Sequence, residues 1–158
     1  MRSVAFTLST TLMLGLVFGC ASASTTIIQP MQSLPKAISL SVDPEPGVSM
    51  SEEQKSRLRS ILTTALRDGG VALVPAGNAQ ANGSVERYQP GIRALRYLVG
   101  FGAGRGRFES TWRVSDESGE TIGQCEIEGG IAMGVFGGSF DSVLEKVGKE
   151  LAEFLRGE

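Results

Sequence analysis

The chain has 158 residues, with 15 Lys or Arg, 17 Asp or Glu, no His, and a formal net charge of -2. This length suits one domain, and a hydrophobic content of 41% argues against a disordered chain. The balanced charge argues against a dedicated nucleic-acid binder. The missing imidazole excludes Ser-His-Asp catalysis, Cys-His catalysis and histidine metal sites within these residues.

Residues 1–19 have the pattern of a targeting segment. Arg2 precedes a mainly apolar run over residues 4–18, which is too short and too polar to span a bilayer. The run ends in Val17-Phe18-Gly19-Cys20, which resembles a bacterial lipobox. The resemblance implies that residues 1–19 are a cleaved signal peptide and that Cys20 is lipidated. An ordinary secretory signal and an uncleaved anchor helix remain the alternatives.

The residues after Cys20 bear on which membrane the protein is sent to and on how its domain is attached there. In such lipoproteins they carry the sorting information, and here they are Ala21 and Ser22, without the aspartate that resembles an inner-membrane retention signal. The pattern therefore favours the outer membrane, with the protein facing the periplasm. Ser, Thr, Gln and Pro dominate up to Pro35, which predicts a lipidated tether over residues 20–36 and one domain over residues 37–158.

The folded part begins with a strand and a helix. Ile38, Leu40 and Val42 alternate with serines, which predicts a half-buried strand from about residue 37. Residues 50–68 then follow helical periodicity. The capping box of this helix is either Ser49 with Glu52 or Ser51 with Gln54. Glycines at 69 and 70 end the helix, and residues 71–74 predict a short buried strand.

A hairpin is predicted in the second half of the chain, after an extended segment over residues 81–88. Its strands cover residues 107–115 and 120–128, around a four-residue turn that pairs Ser115 with Glu120. In that register Trp112 lies across Gly123 on the core face, and Thr121 lies on the same face. On the outer face, Arg107 lies opposite Glu128 and Glu109 opposite Glu126, a like-charge pair that needs an arginine from a third strand.

The last predicted element is an amphipathic helix over residues 139–156, with Gly157 at its C-cap. Its apolar stripe consists of Phe140, Val143, Leu144, Val147, Leu151, Phe154 and Leu155. Two amphipathic helices and a run of mainly antiparallel strands predict an α+β fold, a two-layer sandwich.

Three short segments carry a family resemblance. They are Gly100-Phe-Gly-Ala-Gly104, the strand and turn over residues 112–119, and Gly134-Val-Phe-Gly-Gly138 before the last helix. With the lipobox and the order of elements, the chain resembles small α/β bacterial envelope lipoproteins classed as a domain of unknown function. That family has no agreed catalytic residues, so the resemblance implies no site.

The segment over residues 98–107 is the most unusual in the chain. Its glycines could bring backbone N–H groups close to an anion. The lysine and hydroxyl of a Walker A loop are missing, and Arg105 stands where the dinucleotide fingerprint needs its third glycine. We interpret the segment as a contact site for a partner or anion. Its residues are Gly100, Gly102, Gly104, Arg105, Gly106 and Arg107.

An arginine-rich band surrounds this segment. It comprises Arg87, Arg93, Arg96, Arg105, Arg107 and Arg113. Arginine suits phosphate and carboxylate, so the band fits anionic headgroups, lipopolysaccharide or an acidic partner, although a solvated surface is the simpler interpretation. Apolar residues at 92–101 and 131–136 extend the surface if they are exposed and belong to the core if they are buried.

Together these patterns predict a non-enzymatic, membrane-anchored lipoprotein that binds a protein partner or an envelope polymer, without cofactor, metal or nucleic acid. A carboxylate-dependent envelope hydrolase using Glu126 or Glu128 is the rival hypothesis, and an anion-binding module using the glycine- and arginine-rich segment is a third. Cys125 lies on the predicted core face, which favours an inert buried thiol. The oligomeric state and the identity of the partner do not follow from the sequence.

Overall fold

The computed structural model describes residues 21–91, 106–131 and 139–158. The strands are β1 (Ala21–Gln29), β2 (Ile38–Pro44), β3 (Ala79–Gln89), β4 (Arg107–Asp116) and β5 (Thr121–Ile131), and the helices are α1 (Glu52–Asp68) and α2 (Phe140–Arg156). The strands form one sheet in the order β1-β5-β4-β3-β2.

The architecture is the predicted two-layer α+β sandwich. β2 and β3 are parallel neighbours joined through α1, and the other neighbouring pairs are antiparallel. α2 packs on β1 and β5 and against α1, while α1 also contacts β2. One face of the sheet is thereby buried and the other is left open, as is common for antiparallel sheets.

The helix ends follow from their capping residues. In α1 the Ser51 hydroxyl accepts the Gln54 N–H at 3.2 Å, and the Gln54 side chain accepts the Ser51 N–H at 2.8 Å. Of the two predicted capping boxes, this one therefore forms. In α2, Ser139 is the N-cap and Gly157 is the left-handed C-cap with φ 74°. All seven residues of the predicted α2 stripe are buried, which confirms that helix.

The predicted strand over residues 71–74 is wrong. Leu73 makes one isolated parallel bridge to Ile38, with the Ile38 N–H donated to Ala72 O at 2.9 Å and the Val74 N–H to Ile38 O at 3.0 Å. Pro75 follows directly and has no N–H with which to continue a ladder.

The predicted tether is also wrong over its first part. Residues 21–29 form β1, the edge strand antiparallel to β5. Its inward positions are small or polar: Ala21 and Ala23 pack at the core, and the Thr25 hydroxyl donates to Glu150 Oε2 at 2.8 Å. An edge strand with such light burial has little hydrophobic alternation, which is why the sequence pattern resembles a linker.

The hairpin forms, but its register differs by two residues from the prediction. Ser115 pairs with Thr121 rather than Glu120, and a bulge at Ile122 then brings Val114 opposite Gly123. The Asp116 carboxylate accepts the N–H groups of Ser118 and Glu120, which stabilises a turn one residue longer than predicted. The bulge adds the second residue of the shift.

A two-residue shift leaves the core face of most of the hairpin unchanged, because side chains alternate with a period of two. Phe108, Trp112, Cys125 and Ile127 are completely buried, as predicted. At the bulge the prediction fails, since Ile122 is buried in place of Thr121.

The indole of Trp112 is accommodated by a glycine on the other side of β4. Trp112 pairs with Cys125 on β5 and with Gly83 on β3. A Cβ atom on Gly83 would lie 2.5 Å from the indole Cη2, so the prediction that Gly123 makes this room is wrong. The indole N–H donates to the buried Ser110 hydroxyl at 3.0 Å, which satisfies its one polar atom.

Candidate functional site

The open face of the sheet carries polar side chains across all five strands. One row runs Thr26, Glu126, Thr111, Ser84 and Asp43 from β1 to β2, and none of these residues is buried. The predicted outward placement of Glu126 is therefore confirmed. Such a face can offer hydroxyl, amide and carboxylate groups to a partner, and it can equally be a solvated surface.

The charges on this face are arranged differently from the predicted pattern. The two-residue shift places Glu109 opposite Glu128 and Arg107 opposite Gly130, so both predicted pairings are wrong. Arg87 on β3 provides the third-strand arginine, with its Nη1 3.0 Å from Glu109 Oε1. One carboxylate of the like-charge pair is thus already bound to a guanidinium.

A surface depression of about 250 Å³ lies at the end of the sheet where Arg107 begins β4. Ser22 and Ser24 line it from β1, and Glu128, Gly129 and Gly130 line it from β5. Gly130 leaves the strand backbone open, whereas Gly129 is buried against Val143. Serine hydroxyls, one guanidinium and carboxylates surround the depression. This combination can bind a polar or anionic group of small size.

Of the six residues predicted for the contact site, the structure describes two. Arg107 is exposed, whereas Gly106 is buried, and a Cβ atom on Gly106 would lie 2.9 Å from the Phe140 ring. The absence of a side chain at Gly106 therefore allows close packing against Phe140. Gly100, Gly102, Gly104 and Arg105 lie outside the described residues, as do Arg93 and Arg96.

The aromatic residues below this depression form a small cluster. The Tyr88 ring stands edge-on to Phe108 at 6.4 Å and to Phe140 at 5.1 Å, measured between ring centroids. Burial, followed by the charge of Asp141, raises the pKa of the Tyr88 hydroxyl. Arg57 of α1 donates two hydrogen bonds to the Asp141 carboxylate. This ion pair links the two helices at the same end of the molecule.

A second surface, which the sequence analysis missed, is a groove of about 690 Å³ between α1 and α2. The helices approach closely because Gly148 faces Ala65 and Gly69 faces Ala152, and a Cβ on either glycine would lie 2.5 Å from the alanine Cβ. Charged residues of both signs line the groove, namely Asp68, Glu145, Lys149, Glu153 and Arg156. The signal that could have revealed it is the set of small residues on the apolar stripes of both helices.

The cysteine and the acidic residues were the other candidates for chemistry. Cys125 is completely buried, and burial, with a smaller effect of Glu126, raises the pKa of its thiol to about 12. The thiol is therefore protonated at neutral pH, as expected of an inert core residue. Within residues 21–91, 106–131 and 139–158, no three acidic or cysteine side chains come together as a metal site.

No helix in the described part of the chain is long and apolar enough to cross a membrane.

Fold and surface together define the class of this protein. It is an α+β sandwich with one open polar sheet face and, in its described part, an arginine and two serines grouped around exposed strand backbone at one end of the sheet. The chain belongs to the family described as Domain of unknown function (DUF4410), whose model matches residues 35–135. The matched region begins after β1 and ends before α2.

Solved structures show the same fold. A PelC dodecamer from Paraburkholderia phytofirmans that carries a leucine-to-methionine substitution is 20% identical, with a TM-score of 0.53, and the match covers 87% of this chain and 98% of that one. A second PelC dodecamer from the same organism is 18% identical, with a TM-score of 0.53, and the match covers 87% and 99%. No curated protein gives a match.

Proposed function

We propose that this protein is a lipid-anchored protein of the cell envelope, attached through Cys20, whose α+β domain binds a protein partner or an envelope polymer without catalysing a reaction. The observation that carries the proposal is the order Val17-Phe18-Gly19-Cys20 directly before the first strand of the domain. Ala21 and Ser22 favour the outer membrane as the destination.

The open face supports a binding role over the hydrolase hypothesis. General acid-base hydrolysis needs two carboxylates that are free to exchange protons with a substrate. Glu109, which faces Glu128, is bound to Arg87, so this pair does not offer two free carboxylates. Hydroxyl, amide and charged groups spread over a flat sheet suit an extended surface contact.

The edge strand supports self-association as one form of this contact. Ile27 and Ile28 on β1 are 52% and 50% exposed, and the strand contains no charged residue and no proline. Exposed strands of this kind readily pair with another chain. The opposite edge strand, β2, is partly covered, because Arg59 donates to Val42 O at 3.3 Å and Leu73 forms a bridge with Ile38. The PelC proteins of similar fold form dodecamers, and we propose that this chain also assembles with copies of itself.

The anchor is tested by replacing Cys20 with Ser. We expect the C20S variant to lose acyl labelling and to leave the membrane fraction, whereas a C125S control keeps both. Labelling that persists in C20S would refute the anchor.

The partner is tested by crosslinking the mature protein in its native envelope and identifying the products. Self-association is tested by sedimentation of the acylated protein in detergent. We expect I27K to reduce the assembled fraction, and L34K, a change at another exposed apolar residue outside the strand, to leave it unchanged. A purely monomeric wild-type protein would contradict self-association.

A further inference from the structure

The residue that follows the proposed lipid anchor is part of the sheet. Ala21 is the first residue of β1, is only 6% exposed and pairs with Ile131. The Lys146 ammonium group of α2 donates to the Ala21 carbonyl. One peptide bond joins Cys20 to Ala21, which sets the distance between their Cα atoms at about 3.8 Å. A tether of the predicted length would instead allow a separation of up to about 60 Å.

The strand register defines which part of the domain shares this position. Ser22 pairs with Gly130, Gly130 with Arg107, and Arg107 with Gln89. We refer to the end of the sheet formed by Ala21, Gly130, Arg107 and Gln89 as the anchor end. The turn at residues 116–120 lies at the other end of β4 and β5, about 30 Å away at the rise of a strand.

Two cations lie near the anchor end without an ion pair to another described residue. Arg107 and Lys146 are both exposed, and neither forms an ion pair with another described residue. Two acids nearby are already bound, Glu109 by Arg87 and Asp141 by Arg57. Two acids nearby form no ion pair with another described residue: Glu128, in the row next to Arg107, and Glu53, which lines one depression with Arg57 and Asp141.

We infer that the anchor end lies against the bilayer and that Arg107 and Lys146 contact the phosphate groups of anionic phospholipids. The inference rests on the proposed acylation of Cys20. Acyl chains inserted at residue 20 hold the two cations at the depth of the lipid headgroups, because no free chain separates the anchor from β1. An arginine or lysine near an anionic surface adds about 1 kcal/mol, which is about a fivefold gain in membrane association.

The orientation is tested with acylated protein in vesicles of phosphatidylcholine and phosphatidylglycerol that contain a nitroxide on the lipid headgroup. A fluorophore is attached at Q89C, beside Arg107, or at the matched position S118C in the distant turn. Cys20 is blocked by acylation and Cys125 is buried, so the introduced thiol is the one labelled. We expect several-fold stronger quenching at residue 89 than at residue 118. Equal quenching at both sites would overturn the inference.

The role of charge is tested by R107E, with R113E as the matched control on the same strand and face, about 20 Å further from the anchor. In vesicles with phosphatidylglycerol we expect R107E to weaken quenching at residue 89 and R113E to leave it unchanged. An equal effect, or none, would overturn the contact of Arg107 with phosphate. An unacylated mass of the natural protein would refute the proposed function instead, so the two failures are distinguishable.

Discussion

The ring of Trp112 occupies the space that a side chain at Gly83 would need, and a Cβ atom there would lie 2.5 Å from the indole Cη2 and 2.6 Å from Cζ3. The two residues are paired across β3 and β4. Trp112 is completely buried and has the largest side chain in the described core. Gly83 and Trp112 therefore determine together how the central strands pack under the helices.

We expect G83A to destabilise the domain by about 1 to 3 kcal/mol, because the new methyl group overlaps a ring that is closely packed. W112A should cost about 3 to 5 kcal/mol through the cavity that it leaves. The measurement is urea unfolding followed by circular dichroism. W112F removes the ring atoms that a Cβ at residue 83 would overlap. The loss of stability caused by G83A should therefore be smaller in W112F than in the wild type. If the losses of stability from G83A and W112F simply add, residue 83 and the indole ring are not in direct contact.

The close contact between α1 and α2 leads to a second prediction. Gly148 faces Ala65 so closely that G148A should separate α1 and α2 and destabilise the domain by about 1 to 3 kcal/mol. The exchanged pair A65G with G148A restores the total side-chain volume and should recover part of the loss, less about 1 kcal/mol for a glycine within α1. Thermal unfolding of the two single variants and the pair measures this. Failure of the pair to recover stability relative to G148A would contradict the proposed contact.

The capping box of α1 distinguishes two neighbouring serines. Ser51 accepts the Gln54 N–H and donates its own N–H in return, so S51A should cost about 1 kcal/mol. S49A is the matched control, because Ser49 lies outside the observed box, and we expect it to change the free energy of unfolding little. Equal effects of the two substitutions in urea unfolding would argue against the observed helix start.

The buried thiol of Cys125 predicts that the stability of the domain depends on pH. Burial raises the pKa of Cys125 to about 12 from an ordinary value of 9.0, so the folded state holds the proton that the unfolded state releases above about pH 9. This contribution to stability is complete below pH 9 and decreases as the pH rises towards 12. We expect wild-type stability to fall more steeply than that of C125A between pH 8 and 10.5, measured by urea unfolding.

The same thiol should be protected from alkylation in the folded protein. Iodoacetamide at pH 8 should modify Cys125 only after denaturation, as read by mass spectrometry of the C20S variant, which leaves Cys125 as the one thiol. Rapid modification under native conditions would show that the thiol is accessible.

The sequence by itself determined the two helices and the core side of β2 and β4. Capping residues such as Ser51, Ser139 and Gly157 act within one turn of chain, and the apolar stripe of α2 repeats with the helical period. Both are local properties, so the end of α1 and both ends of α2 followed from the sequence. The start of α1 was narrowed to two capping boxes, and the structure selects Ser51 with Gln54. The alternation in β2 and β4 identified the core side for the same reason, and the fold class followed from the combination.

Only the tertiary structure decided which strands meet and in what register. The longer turn at Asp116 moved the pairing by one residue at Ser115, and the bulge at Ile122 moved every pair from Val114 to Arg107 by two. This exchanged the partners of Trp112, Arg107 and Glu109 without changing the faces that they occupy. β1 forms because β5 offers it an edge and α2 covers its small inward residues. Contacts between residues about a hundred positions apart leave little trace in a local pattern, and so the strand beside the proposed anchor was predicted as a tether.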